Sequence, residues 1–135
     1  MDKISPERRS ENMRRIRSTD TKPELVVRSL LHKLGYRFRL HRAGLPGRPD
    51  IVFPSRRKAI FVHGCFWHQH HACIDGRVPK SNSAYWREKL LKNTARDVTS
   101  RRQLTKMGWP TLVIWECKVR DEAWLTKQLK RFLDL

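Results

Sequence analysis

The apolar residues of this chain fall in short runs whose spacing changes from one stretch to the next, and each spacing predicts an element. Leu25, Val26, Leu30, Leu31 and Leu34 recur at helical intervals behind Thr21-Lys22-Pro23-Glu24. Thr and Glu three apart form a capping box, and Pro suits a first helical turn. A helix is therefore expected from about Pro23 to Leu34, with those apolar residues facing the core and Gly35 ending it. Tyr36, Phe38 and Leu40 then alternate with Arg37, Arg39 and His41, the period of a half-buried strand. Arg42 to Arg48, with Gly44, Pro46 and Gly47, is a turn. Pro49-Asp50 leads into a short buried strand, Ile51-Val52-Phe53, and after a second turn Lys58 to His63 reads as a third strand. Tyr85 to Met107 has the pattern of a long, strongly charged helix stopped by Gly108. Thr111-Leu112-Val113-Ile114-Trp115 is apolar enough for a fully buried strand. Asp121 to Leu133 closes the chain as a helix with Trp124, Leu125, Leu129 and Phe132 on one face. This order predicts an α/β fold, a mixed central sheet flanked by helices.

Residues 1–20 differ in kind. They are polar and rich in arginine, with Met13 and Ile16 as their main apolar points, and read as a basic N-terminal arm ahead of a single domain over 21–135. The length of 135 residues suits one domain able to bury a core without staples. The longest strongly apolar run, Gly108 to Trp115, is far short of the roughly 20 residues that span a bilayer, and no secretory signal pattern opens the chain. The expectation is a cytoplasmic protein with no membrane partner.

Charge narrows the function. Thirty Lys and Arg against 13 Asp and Glu give a formal net charge of +17, which repels itself unless a polyanion is near. Nucleic acid is the commonest such partner. Three cysteines, an odd number, do not describe a disulfide framework. Cys65, His70 or His71, Cys73 and the distant Cys117 have the residue types of a closed, structural zinc site. Such a site leaves His68 over, and a neutral imidazole is suited to moving protons near pH 7. Asp50 is the only acidic residue between Glu24 and Asp75. A carboxylate kept in a phosphate-binding protein often holds Mg²⁺; the alternative is a strand-start Asp bonded to Arg48 or to backbone amides. Phe66, Trp67 and Trp86 are either core anchors or, in a DNA-binding protein, wedges between base pairs.

Leu45-Pro46-Gly47-Arg48-Pro49-Asp50, Ile60-Phe61-Val62-His63-Gly64-Cys65-Phe66-Trp67-His68 and Val113-Ile114-Trp115-Glu116-Cys117 resemble the very-short-patch-repair (Vsr) DNA mismatch endonucleases, as do Asn12-Met13-Arg14 and Tyr85-Trp86-Arg87-Glu88-Lys89. The resemblance runs through nearly the whole chain in order. It implies a restriction-endonuclease-like core and a monomer that nicks one strand of double-stranded DNA beside the T of a T·G mismatch, the lesion left by deaminated 5-methylcytosine. Contacts to other repair proteins would be compatible with it, and the enzyme would sit on the nucleoid when bound to DNA. Carried over by motif, Asp50 is the Mg²⁺-binding carboxylate, with the main-chain carbonyl of Val62 as a further Mg²⁺ ligand. His68 is the general acid/base, and Glu24 and His63 are accessory active-site residues. Cys65, His70, Cys73 and Cys117 are the Zn²⁺ ligands, with His71 as the rival of His70. Phe66, Trp67 and Trp86 are the intercalating aromatics, Met13 is a wedge on the arm, and Arg14 and Arg15 contact DNA beside it. Two departures stand out. Val62 occupies a position that is often Thr in the family, and the Cys65–Cys73 stretch is one residue longer than in some members. Two other readings account for part of the pattern: a restriction-like nuclease with no mismatch requirement, and a noncatalytic zinc-stabilised DNA-binding module.

Overall fold

The computed structural model describes residues 21–42, 44–65 and 81–134. Helix α1 (Lys22–Lys33) is followed by strands β1 (Arg39–Leu40), β2 (Ile51–Phe53) and β3 (Lys58–His63), then helix α2 (Ser83–Lys106), strand β4 (Thr111–Trp115), a 3₁₀ turn (Glu116–Lys118) and helix α3 (Glu122–Leu133). The strands form one sheet in the order β1-β2-β3-β4. β1, β2 and β3 pair antiparallel, whereas β4 lies parallel to β3, with His63 level with Trp115. Parallel neighbours need a crossover, and α2 lies within it. The mixed α/β sheet with flanking helices is the class the sequence predicts.

Strand alternation sorts the core into two layers. Ile51, Phe53, Ile60, Val62 and Ile114 point to one face and pack with Val27, Leu30 and Leu31 of α1 and Leu125, Leu129 and Leu133 of α3. Val52, Ala59 and Phe61 point to the other, where Leu104 of α2 and Trp109 cover them. The sheet is thus sandwiched, with α1 and α3 on one side and α2 on the other. Side chains cap two of the helices. Thr21 Oγ1 accepts from the Glu24 amide at 3.4 Å, and Asp121 Oδ1 accepts from the Trp124 amide at 3.0 Å.

Three expectations need correction. Leu25 and Val26 do not face the core; they are 49% and 43% exposed. The inward stripe of α1 is instead Glu24, Val27, Leu30 and Leu31, so a carboxylate takes the inward position in the first turn and rotates its apolar neighbours outward. The strand expected over Tyr36–Leu40 is reduced to Arg39–Leu40, because Tyr36 and Phe38 pack against the α1 side of the core ahead of the ladder. β4 is only half-buried apart from Ile114, because it is the last strand of the described sheet and composition does not reveal an edge.

The Leu45–Asp50 turn is held on the sheet by a close approach. Gly47 has φ +74°, and a Cβ built there would lie 2.6 Å from the Ser100 Cβ of α2. Gly47→Ala should therefore cost about 2–4 kcal/mol, from the left-handed backbone and the overlap together. A thermal melt checks this. Adding Ser100→Gly should return only the part due to contact, and an unshifted Tm for Gly47→Ala would show that the turn does not press on α2.

Candidate active site

Two buried carboxylates come together beside β2. Glu24 is carried inward by the first turn of α1 and is 1% exposed; Asp50 ends the turn before β2 and is 9% exposed. Asp50 Oδ2 accepts a 2.7 Å hydrogen bond from the Val62 amide of β3. Of the two non-metal partners foreseen for Asp50, a backbone amide is thus present, supplied by the adjacent strand. One ligand atom each from Glu24, Asp50 and His41 lies within 4.8 Å of the others.

His41 and Arg28 are the members that sequence reasoning missed. His41 follows β1 with φ +46°, and its amide donates to the Asp50 carbonyl at 3.3 Å. The antiparallel register pairs Arg39 with Val52 and Leu40 with Ile51, and the next step sets His41 against Asp50. A hairpin register drawn from the sequence was the signal that could have found it. Arg28 lies one turn after Glu24 on α1; its NH2 group donates to Glu24 Oε2 at 2.8 Å and to His41 Nε2 at 2.9 Å.

The electrostatics follow from this crowding. Burial pushes the Asp50 carboxyl up to about 8 and the neighbouring Glu24 carboxyl adds to the rise, while the Val62 amide and Arg28 oppose it. Two carboxyl groups that disfavour joint ionisation in a buried place, with oxygen donors converging, suit a hard divalent cation, which relieves the repulsion. The sign for pH can be worked out. Between the ordinary 3.8 and about 8 the folded chain holds a proton that the unfolded chain has lost. Without a cation, stability should fall as pH rises through that window. Cation uptake displaces the proton, so affinity should climb by up to about tenfold per pH unit and level off above about 8. Melting curves at pH 5 to 8, with and without Mg²⁺, check both trends; Asp50→Asn should flatten them.

His63 is placed elsewhere. It ends β3 on the same face as Phe61, 4% exposed, with its ring centroid 5.7 Å from Phe61 and 5.2 Å from Trp115. It lies outside the Glu24–His41–Asp50 group, and Val62, one residue earlier, supplies the contact to Asp50. Cys65 is fully buried, and its amide donates to Glu116 Oε1 at 3.0 Å. Cys65 and Cys117 each stand two residues beyond the last register pair of the parallel strands, His63 and Trp115. The distant cysteine is thus returned to the level of the first. Trp86 sits in the first turn of α2, half-buried and in neither core layer. Its ring meets Tyr85 edge-on at 5.2 Å, and the Lys89 ammonium stands 5.8 Å from it. Met13, Arg14, Arg15, Phe66, Trp67, His68, His70, His71 and Cys73 lie outside the described residues. Among the described residues, no helix is long and apolar enough to cross a membrane.

Known proteins show the same features. The family model "DNA mismatch endonuclease Vsr" matches residues 1–74. The chain is 53% identical to the type II nicking enzyme V.XorIIP of Xanthomonas oryzae pv. oryzae over 98% of its own length and 97% of that protein's. It is 45% identical to the DNA mismatch endonuclease Vsr of Escherichia coli over 93% of its length and 83% of that enzyme's. It is 39% identical to the type II nicking enzyme V.NmeAIP of Neisseria meningitidis over 98% of its length and 94% of that protein's. With a family model matching more than half of it and relatives aligned nearly end to end, the chain belongs to the Vsr family of DNA mismatch endonucleases and is an endodeoxyribonuclease of mismatch repair.

Proposed function

We propose that this enzyme nicks one strand of duplex DNA beside the T of a T·G mismatch, the product of 5-methylcytosine deamination, in a Mg²⁺-dependent reaction. The observation that carries the catalytic part is the buried Glu24–Asp50 pair in a chain of net charge +17. Most of this surface attracts phosphate; a buried acidic pair is where a cation can meet it. Asp50 and Glu24 would hold the ion, with the Val62 main-chain carbonyl as a further oxygen donor, while the Val62 amide fixes the rotamer of Asp50. When bound, Mg²⁺ supplies positive charge against the scissile phosphate and the departing oxygen. His68 would transfer a proton during the step, and His63, wedged between Phe61 and Trp115, would stiffen the strand end that leads to it. The core is read as restriction-endonuclease-like.

Zinc has a separate, structural part in this reading. Cys65, His70, Cys73 and Cys117 would close a four-ligand site that anchors the His68 segment. The matched placement of Cys65 and Cys117 beyond β3 and β4 supports it.

Selectivity is assigned to Phe66, Trp67 and Trp86, with Met13 on the arm, because a mispaired step unstacks at lower cost than a paired one. The position of Trp86 outside both core layers supports a role at the surface. Arg14 and Arg15 would grip phosphates, which look alike in both duplexes. Equilibrium binding in Ca²⁺ tests the wedge. The wild type should prefer T·G over paired duplex by ten-fold or more, and Trp67→Ala should lose most of that preference. A folded Trp67→Ala variant with its preference intact would move the wedge to another residue.

A further inference from the structure

Arg28 is a cation already seated in the acidic cluster. Its NH2 group reaches Glu24 Oε2 and His41 Nε2 at 2.8 and 2.9 Å, and its side chain is only 13% exposed. A guanidinium has donors and no acceptor, so His41 Nε2 must present its lone pair to Arg28 and carry the ring proton on Nδ1. That fixes what the 3.5 Å approach of His41 Nε2 to Glu24 Oε2 means. It is two acceptors sharing one arginine donor, not an ion pair. A metal ion placed between Glu24 Oε2 and His41 Nε2 would need the same lone pairs that Arg28 uses. The Asp50 side of the cluster differs: the partner of Asp50 Oδ2 is a neutral amide, at 2.7 Å.

We propose that Arg28 stands in for a second metal ion, so that this active site takes up one divalent cation, on the Asp50 side, and His41 serves to hold Arg28 rather than to bind metal. The inference rests on the reading of Glu24 and Asp50 as the cation centre. Arg28 and His41 are positioning residues in this scheme. Arginine suits the task because its charge is permanent and its planar fork can engage a carboxylate and an imidazole at once.

The test counts ions on the full-length, zinc-loaded protein without DNA, with Mn²⁺ as the probe, by free-ion electron paramagnetic resonance and calorimetry. The wild type should bind one Mn²⁺ that is lost in Asp50→Asn. Arg28→Met should bind two. His41→Gln, whose amide oxygen can still accept from Arg28, should bind one with a Kd within about threefold of wild type, since an acceptor is kept. Two Asp50-dependent ions on the wild type would overturn the proposal, as would a single ion on a folded Arg28→Met variant. So would a loss of ten-fold or more in affinity for His41→Gln, the mark of a lost ligand. If Arg28→Met does not fold, the wild-type count and the His41→Gln affinity decide. If no bound Mn²⁺ depends on Asp50, the cation centre itself fails, a result distinct from failure of the role given to Arg28.

Discussion

Asp50→Asn should abolish nicking, lowering the single-turnover rate by at least a thousandfold, while duplex binding stays at or slightly above the wild-type level. The substitution keeps the shape of the side chain and an oxygen able to accept from the Val62 amide, so the β2–β3 contact survives. What it removes is the anionic ligand, and a neutral amide oxygen holds Mg²⁺ poorly. It also removes a group whose burial and whose neighbour Glu24 make its charge costly without a cation. The variant should therefore melt at or above the wild-type temperature when Mg²⁺ is absent. Loss of rate with gain of stability separates a functional carboxylate from a structural one. Rapid-quench assays beside thermal melts measure both. A variant that nicks at near the wild-type rate would remove Asp50 from the mechanism.

Cys117→Ala should cost the protein its zinc and much of its fold. Cys117 follows β4 at the level where Cys65 follows β3, and Cys65 is fully buried with its amide tied to Glu116, the residue before Cys117. A closed zinc site binds with enough free energy to decide whether its surroundings fold, so Tm should fall by on the order of 10 °C or more. The nicking rate should fall with it, because the proposed ligands bracket His68. Metal analysis of purified wild type expects one Zn²⁺ per chain, and comparing His70→Ala with His71→Ala identifies the fourth ligand. Wild-type protein that is fully folded and free of zinc would end this part of the account.

Much of the fold was legible because each element carries its own period and its own punctuation. Thr21 and Glu24 announce α1, Asp121 announces α3, and Gly108 marks the end of α2, so the element order could be read without long-range information. The misreadings arose where long-range contacts decide. Leu25 and Val26 were assigned inward because apolar residues usually are, yet the helix turns Glu24 inward, toward Asp50. β4 has the composition of a central strand and lies at the end of the described sheet.

The site divides in the same way. Asp50 drew attention as an isolated carboxylate in a basic stretch, and Glu24 was reached through the family resemblance rather than through any local signal. His41 read as the polar partner in an alternating strand. Its meeting with Asp50 depends on the hairpin register, and its meeting with Arg28 depends on how α1 lies on the sheet. Neither is encoded in a local pattern of residue types.

The measurement that bears most directly on the central claim is single-turnover nicking of matched 5′-labelled duplexes in Mg²⁺, one carrying a T·G mismatch and one fully paired, each strand labelled in turn. The account expects one break, in the T-containing strand beside the mismatch, with the opposite strand and the paired duplex intact and no break in EDTA. Equal cutting of both duplexes, or breaks in both strands, would contradict it.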